Sequence, residues 1–152
     1  MAIRRAVKAD LKEIIELFSN TIKTVNIKDY TREQIDTWAG ARNIEAWSKK
    51  IKEQHFLVKD QSGQILGFSS IDKTGYLDFM YVHADYQQRG IAKELLTAIV
   101  EKAKEQQNDK IWASVSITAQ PFFLKNGFTI ETQETKELNG VKFINAIMEK
   151  RL

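Results

Sequence analysis

Two hydrophobic rhythms divide the chain. A short opening from Ala2 to Val7 reads as a first strand, and after it Leu11, Ile14, Ile15 and Phe18 recur at helical spacing. Asp10 and Glu13 have the spacing of a capping box, so a helix is expected from there through about Asn20. The stretch from Thr21 to Gln54 is amphipathic and polar by turns. Thr31 and Gln34 make a second capping-box pair and Gly40 a stop, which predicts two short helices, about 31–39 and 44–53. From His55 the period drops to that of strands. HFLVKD, a Ser62-Gly63 turn, QILGFSSI, a Lys73-Thr74-Gly75 turn and YLDFMYV predict an antiparallel meander of three.

Beyond the meander, Ile91, Leu95, Leu96, Ile99, Val100 and Ala103 fall on one face of a long helix, with Lys93, Glu94, Glu101 and Lys102 on the other. IWASVS predicts a strand, and Pro121 to Asn126 a short helix ended by Gly127. A last pair of strands, about 128–133 and 141–148, is joined through Asn139-Gly140. This order predicts an α+β fold of three layers, α/β/α: one mixed, mostly antiparallel sheet with helices on both faces. No linker or repeat interrupts the 152 residues, so a single domain spanning 1–152 is expected.

Composition narrows the chemistry. Cysteine is absent, which excludes disulfides, thiolate metal ligands and cysteine nucleophiles. The two histidines, His55 and His83, are far apart in sequence, so no metal site is expected. His55, opening a strand, reads as a satisfied sheet-edge residue. The net charge of +3 is scattered without a basic stripe, which argues against a nucleic-acid partner but still favours an anionic ligand. No run approaches the ~20 apolar residues of a membrane span, and the start has no signal-peptide core. No membrane association is expected, and the cytoplasm is the expected compartment.

The segment YVHADYQQRGIAKELL carries the candidate chemistry. It sets Gln87, Gln88, Arg89, Gly90, Ile91 and Ala92 between a strand and the start of the long helix. Free N–H groups and the helix dipole make such a junction an anion site, and Gly90 and Ala92 leave room for a phosphate. Arg89 can add a charge-assisted contact. A glycine that only eases a turn into a helix fits the same six residues.

The six residues match the Q/R-x-x-G-x-G/A signature and resemble that of the GCN5-related N-acetyltransferases, with Ala92 at the last position. The resemblance extends to Met80-Tyr81-Val82 before the loop, to Ala119 through Phe128 with its Lys125-Asn126-Gly127-Phe128 ending, and to Ile3-Arg4-Arg5-Ala6 with Asp10. It implies a splay between strands 76–82 and 111–116 that takes the pantetheine arm of acetyl-CoA, the cosubstrate. Met80, Tyr81 and Val82 would pair with that arm like an added strand, the Val82 N–H would polarise the thioester carbonyl, and Gln87 to Ala92 would wrap the pyrophosphate.

The implied reaction is direct attack by a neutral primary amine, of a small molecule or a protein, through a tetrahedral oxyanion. An alkylamine of pKa ~10.4 is only about one part in a thousand neutral at pH 7, so a base or a water chain to one is useful. Asp78 is the candidate, since strand alternation puts it on the face of Val82; a carboxylate of purely structural use is the alternative. His83 follows Val82 and should face the other way. Ser116 stands where many relatives carry asparagine, and Phe123 where many carry the tyrosine that protonates the departing thiolate. Both remain candidates to line the cofactor site, but the acid role does not transfer to Phe123.

The acceptor pocket should lie over the divergent stretch from Thr21 to Gln54. Tyr30 and Trp38 are candidate substrate-binding residues there, although Trp38 and Trp47 would equally serve to pack helices on the sheet. Phe123 also leaves room for a second reading, an acetyl-CoA-binding sensor or interaction module with impaired catalysis. A homodimer through sheet edges is compatible with either.

Overall fold

A computed structural model describes residues 2–41 and 43–152, with Ala2 described in its backbone only. Its strands are β1 (Ala2–Arg5), β2 (His55–Gln61), β3 (Gln64–Ile71), β4 (Leu77–Val82), β5 (Lys110–Val115), β6 (Thr129–Leu138) and β7 (Val141–Arg151). Its helices are α1 (Leu11–Thr24), α2 (Arg32–Ala39), α3 (Ile44–Glu53), α4 (Ile91–Glu105) and α5 (Gln120–Lys125). Strands β1-β2-β3-β4 form one antiparallel sheet and β5-β7-β6 a second.

Among the described residues the backbones of the two sheets pair at one point. Tyr76 and Trp112 form a parallel bridge, the Trp112 N–H donates to the Gly75 carbonyl at 3.1 Å, and the two rings lie 4.4 Å apart. Gly75 has φ +91°, and an added Cβ there would lie 2.6 Å from the Lys110 carbonyl oxygen, so a side chain would force the joint open. Beyond the joint β4 and β5 share no ladder among the described residues, and the expected mixed sheet is therefore two antiparallel sheets splayed from one parallel contact.

Each face of the sheets has its own core. Leu95, Ile99 and Ala103 of α4 are fully buried against Ile71, Ile111 and Met148. On the other face Phe18 and Trp47 of α1 and α3 pack against Phe56, Phe68, Phe79 and Tyr81. Lys59, buried in β2, reaches across to pair with Glu94 of α4, which offsets part of the cost of burying its charge. The Ser62-Gly63 and Asn139-Gly140 turns both have two positive φ values, as tight hairpins require. Thr31 and Gln34 form the expected reciprocal cap of α2.

Several local expectations fail for tertiary reasons. Asp10 does not cap α1. Its carboxylate turns back to take Arg4 Nη1 at 2.9 Å and Nη2 at 3.0 Å, and the Val7 N–H at 2.8 Å. Glu13 likewise leaves the helix end and accepts from the Ile65 N–H at 2.7 Å. Helix α1 runs to Thr24 because Thr21 and Ile22 continue its buried stripe. The last hairpin is longer than its hydrophobic pattern, since β6 is almost wholly exposed and owes its length to pairing with β7. His55 opens β2 opposite Ile71 of β3, beyond the last β1 partner at Leu57, and it is not the satisfied residue expected. Its Nδ1 is buried without a hydrogen-bond partner, and burial pushes its pKa down.

Candidate active site

The splay of β4 from β5 opens a cleft of about 1130 Å³. Its β4 wall is open backbone. The His83 N–H donates to Leu66 of β3 at 2.8 Å, whereas the Val82 carbonyl takes Thr21 Oγ1 at 3.1 Å and Gln87 Nε2 at 2.8 Å from outside the sheet. Backbone groups alternate along an antiparallel strand, so those of Met80 and Val82 point away from β3 toward the cleft. Tyr81 turns its ring to the opposite face, where it stacks on Phe68 at 5.4 Å.

One end of the cleft is the start of α4. Gly90 is the N-cap at φ +81°, no side chain caps the helix, and an added Cβ at Gly90 would meet nothing within 4 Å. Uncapped N–H groups beside an empty cradle fit an anion such as a pyrophosphate. Gln88, Gly90, Ile91 and Ala92 line this end, as does Lys93. Gln87 lines it too, but its side chain is committed to holding the Val82 and His83 carbonyls. Arg89 is not part of the lining; its guanidinium lies 5.1 Å from the centre of the Tyr86 ring. His83 is structural, its Nδ1 accepting from the Asp85 N–H at 3.1 Å.

Asp78 lines the cleft, but not on the face that alternation assigns to it. Leu77 pairs with Ile71 and Phe79 with Ser70, so Asp78 is an extra residue in β4 and reverses the parity there. Leu77 packs in the α4 core with Met80 and Val82, while Asp78 turns toward α3. Its Oδ2 accepts from Lys50 Nζ at 2.9 Å and from Gln54 Nε2 at 2.8 Å, and Gln54 Oε1 in turn accepts from Ser70 Oγ at 2.7 Å. The carboxylate also faces Tyr76, whose pKa is pushed up to about 12 by burial first and by Asp78 second.

The β5 wall carries Ser116 and Phe123. Phe123 is buried, edge-on to Phe128 at 4.9 Å and Phe122 at 5.4 Å. Tyr30 and Trp38 line the far end, with ring centres 5.2 Å apart. Sequence reasoning missed their third partner, Phe143 of β7, at 6.2 Å from Tyr30 and 6.0 Å from Trp38. It also missed Lys28, Lys136 and Asn145 on the same wall. No local pattern marks these residues, because the hairpin reaches α2 only in the fold, where Gln34 Nε2 donates to the Lys142 carbonyl at 2.9 Å.

An open strand edge facing a second strand, with an uncapped helix start at its end, has the chemistry to take an extended ligand that carries phosphate. The sequence profile of the acetyltransferase (GNAT) domain matches residues 26–152. The uncharacterized N-acetyltransferase YafP of Escherichia coli (strain K12) is 29% identical over 146 residues, 96% of this chain and 93% of its own. A crystal structure of a GCN5-related N-acetyltransferase, aminotransferase class-II, from Rhodopseudomonas palustris superposes with a TM-score of 0.95 at 28% identity, covering 99% of this chain and 95% of its own. The PaiA N-acetyltransferase of Thermoplasma acidophilum, solved in complex with coenzyme A, has the same fold, with a TM-score of 0.83 at 22% identity over 99% and 98% of the two chains.

The chain belongs to the GNAT acetyltransferase family. It is an acetyl-CoA-dependent N-acetyltransferase, with acetyl-CoA as cosubstrate. Among the described residues no helix is long and apolar enough to cross a membrane.

Proposed function

We propose that the enzyme acetylates a primary amine, of a small molecule or a protein, by direct attack of the amine on the thioester, and that it does so in the cytoplasm. The observation that carries this reading is the splay itself, which leaves the Met80 and Val82 backbone and the uncapped start of α4 facing one cleft. Acetyl-CoA supplies the electrophilic thioester. Met80 to Val82 hold its pantetheine arm by strand-like pairing, and the backbone of Gln87 to Ala92 takes the pyrophosphate. The Val82 N–H stabilises the developing oxyanion, a contact whose loss typically costs about 10² to 10³ in rate.

Asp78 draws the amine proton, directly or through water, while Lys50 and Gln54 fix its orientation. Ser116 and Phe123 border the pantetheine arm. Tyr30 and Trp38, closed by Phe143, form an aromatic wall that suits an amine with an apolar part. The test is a panel of amines assayed for thiol release from acetyl-CoA, with product masses recorded. One acetyl mass gained by an amine is expected; thiol release without an acetylated amine would reject the reading.

A further inference from the structure

Phe123 leaves the leaving thiolate without the phenol that the signature's relatives bring on the last helix, yet a phenol stands at the same cleft from another direction. Tyr30 comes from the segment between α1 and α2, 87 positions away from its contact. Its Oη accepts the Ile117 N–H at 2.8 Å, one residue past Ser116, where β5 opens away from β4. The neighbouring Asp29 Oδ2 accepts from Thr118 Oγ1 at 2.7 Å, so two bonds latch this turn to the end of β5. The ring is further held by Trp38 and Phe143.

The other three tyrosines also border the cleft, but each is engaged in another contact. Tyr76 sits at the pinned joint against Trp112, Tyr81 stacks on Phe68 on the aromatic face, and the Tyr86 hydroxyl donates to Gln64 Oε1 at 3.4 Å. In the Ile117 contact the Tyr30 oxygen is acceptor and keeps its own proton, and the Ser116 side chain is its second hydrogen-bond partner. A backbone N–H on that oxygen also stabilises the phenolate left behind.

We propose that Tyr30 is the general acid of the reaction, replacing from the α1–α2 segment the phenol that Phe123 lacks. The inference rests on the acetyl-transfer reading above. As the C–S bond breaks, sulfur leaves with the bonding pair and takes the Tyr30 hydroxyl proton. The phenolate is reprotonated from solvent, and the proton lost by the amine nitrogen balances the turnover. Burial raises the Tyr30 pKa, and the Ile117 N–H opposes that rise, so the group is protonated at neutral pH. The titratable and charged groups around it are Asp29 on its own turn, Tyr76 just before β4, Asp78 and Tyr81 of β4, Lys28, and Lys136 and Glu137 of the hairpin.

The experiment compares wild type, Tyr30→Phe, Phe123→Tyr and the double variant, with an amine that the panel identifies. Tyr30→Phe should lower kcat by on the order of 10²-fold and flatten the alkaline limb of its pH profile. Its acetyl-CoA affinity by calorimetry should stay within about threefold, or roughly 0.7 kcal/mol. Adding Phe123→Tyr to Tyr30→Phe should restore a large part of kcat, which repair of packing alone would not do. A second readout needs no turnover: the thiol of bound CoA, followed by its ultraviolet thiolate absorbance, should ionise at lower pH in wild type than in Tyr30→Phe, because the phenol donates to the thiolate.

Unchanged kcat in folded Tyr30→Phe, or an equal CoA thiol titration in the two proteins, overturns the assignment of Tyr30 alone. Should Tyr30→Phe not fold, the wild-type titration decides, and a bound thiol that ionises no lower than free CoA overturns it. A wild type that acetylates no amine removes the acetyl-transfer reading, and Tyr30 as its acid with it.

Discussion

The two faces of the sheets are built from different side chains and serve the cleft by different means. Under α4 the core is mostly aliphatic: Leu95, Leu96 and Ile99 against Leu66, Ile71 and Ile111. Under α1–α3 it is a run of touching rings, Phe18, Trp47, Phe56, Phe68, Phe79 and Tyr81, with Trp47 stacked on Phe79 at 4.6 Å. The aliphatic face carries a helix whose first N–H groups, after Gly90, are left without a side-chain cap beside the cleft. The aromatic face continues into side chains that shape the cleft, namely Asp78 through Lys50 and Gln54, and Tyr30 through Trp38 and Phe143. Binding of the cosubstrate should therefore depend on backbone geometry, and acceptor chemistry on side-chain packing.

The largest expected effect tests the aromatic face as a structural unit. Trp47→Ala removes the ring that joins Phe18, Phe68 and Phe79, and should cost about 3–5 kcal/mol in denaturant unfolding. A loss below ~1 kcal/mol would mean that the rings do not act together. Next comes Asp78→Asn, which keeps the shape of the bulge and removes the charge. It should lower kcat on the order of 10²-fold, with acetyl-CoA affinity by calorimetry almost unchanged. An unaltered rate across pH would reduce Asp78 to a structural partner of Lys50.

Gly90→Glu probes the other side of the comparison. The protein itself leaves the space open, so the new carboxylate enters the anion cradle, and the left-handed φ adds strain. Acetyl-CoA affinity should fall by roughly tenfold or more, which is about 1.4 kcal/mol. Equal affinity by calorimetry would remove the phosphate site from this loop.

The smallest effect concerns Asp10, remote from the cleft. The Arg4 guanidinium, followed by the Val7 N–H, holds its carboxyl below the usual carboxylate range against the opposing effect of burial. Because the folded pKa is lowered, this stability is fully present above the unfolded value near ~3.9 and lost as pH falls through the folded value. Asp10→Asn should cost about 1 kcal/mol at neutral pH, a low figure because Arg4 is partly exposed. The gap from wild type, read from melting curves, should narrow below pH ~4; a gap constant with pH would contradict the ion pair.

The sequence by itself determined what short-range physics controls. Helical and alternating periods located every element of the sheets and helices to within a few residues at most ends. Thr31-Gln34, Ser62-Gly63 and Asn139-Gly140 act through neighbours two or three positions away and could be read directly. The junction at Gln87–Ala92 was legible for the same reason, since a helix start needs no distant partner to expose its N–H groups. Tertiary structure alone decided the rest. The bulge at Asp78 depends on how β4 registers on β3, and one extra residue moved the carboxylate to the other face. Asp10 and Glu13 left their expected cap for Arg4 and the Ile65 N–H, partners that no local pattern announces. Tyr30 meets Ile117, and Trp38 meets Phe143, only because the last hairpin folds back over α2. Contacts between residues so far apart in the chain are fixed by packing of the whole, and local periodicity carries no record of them.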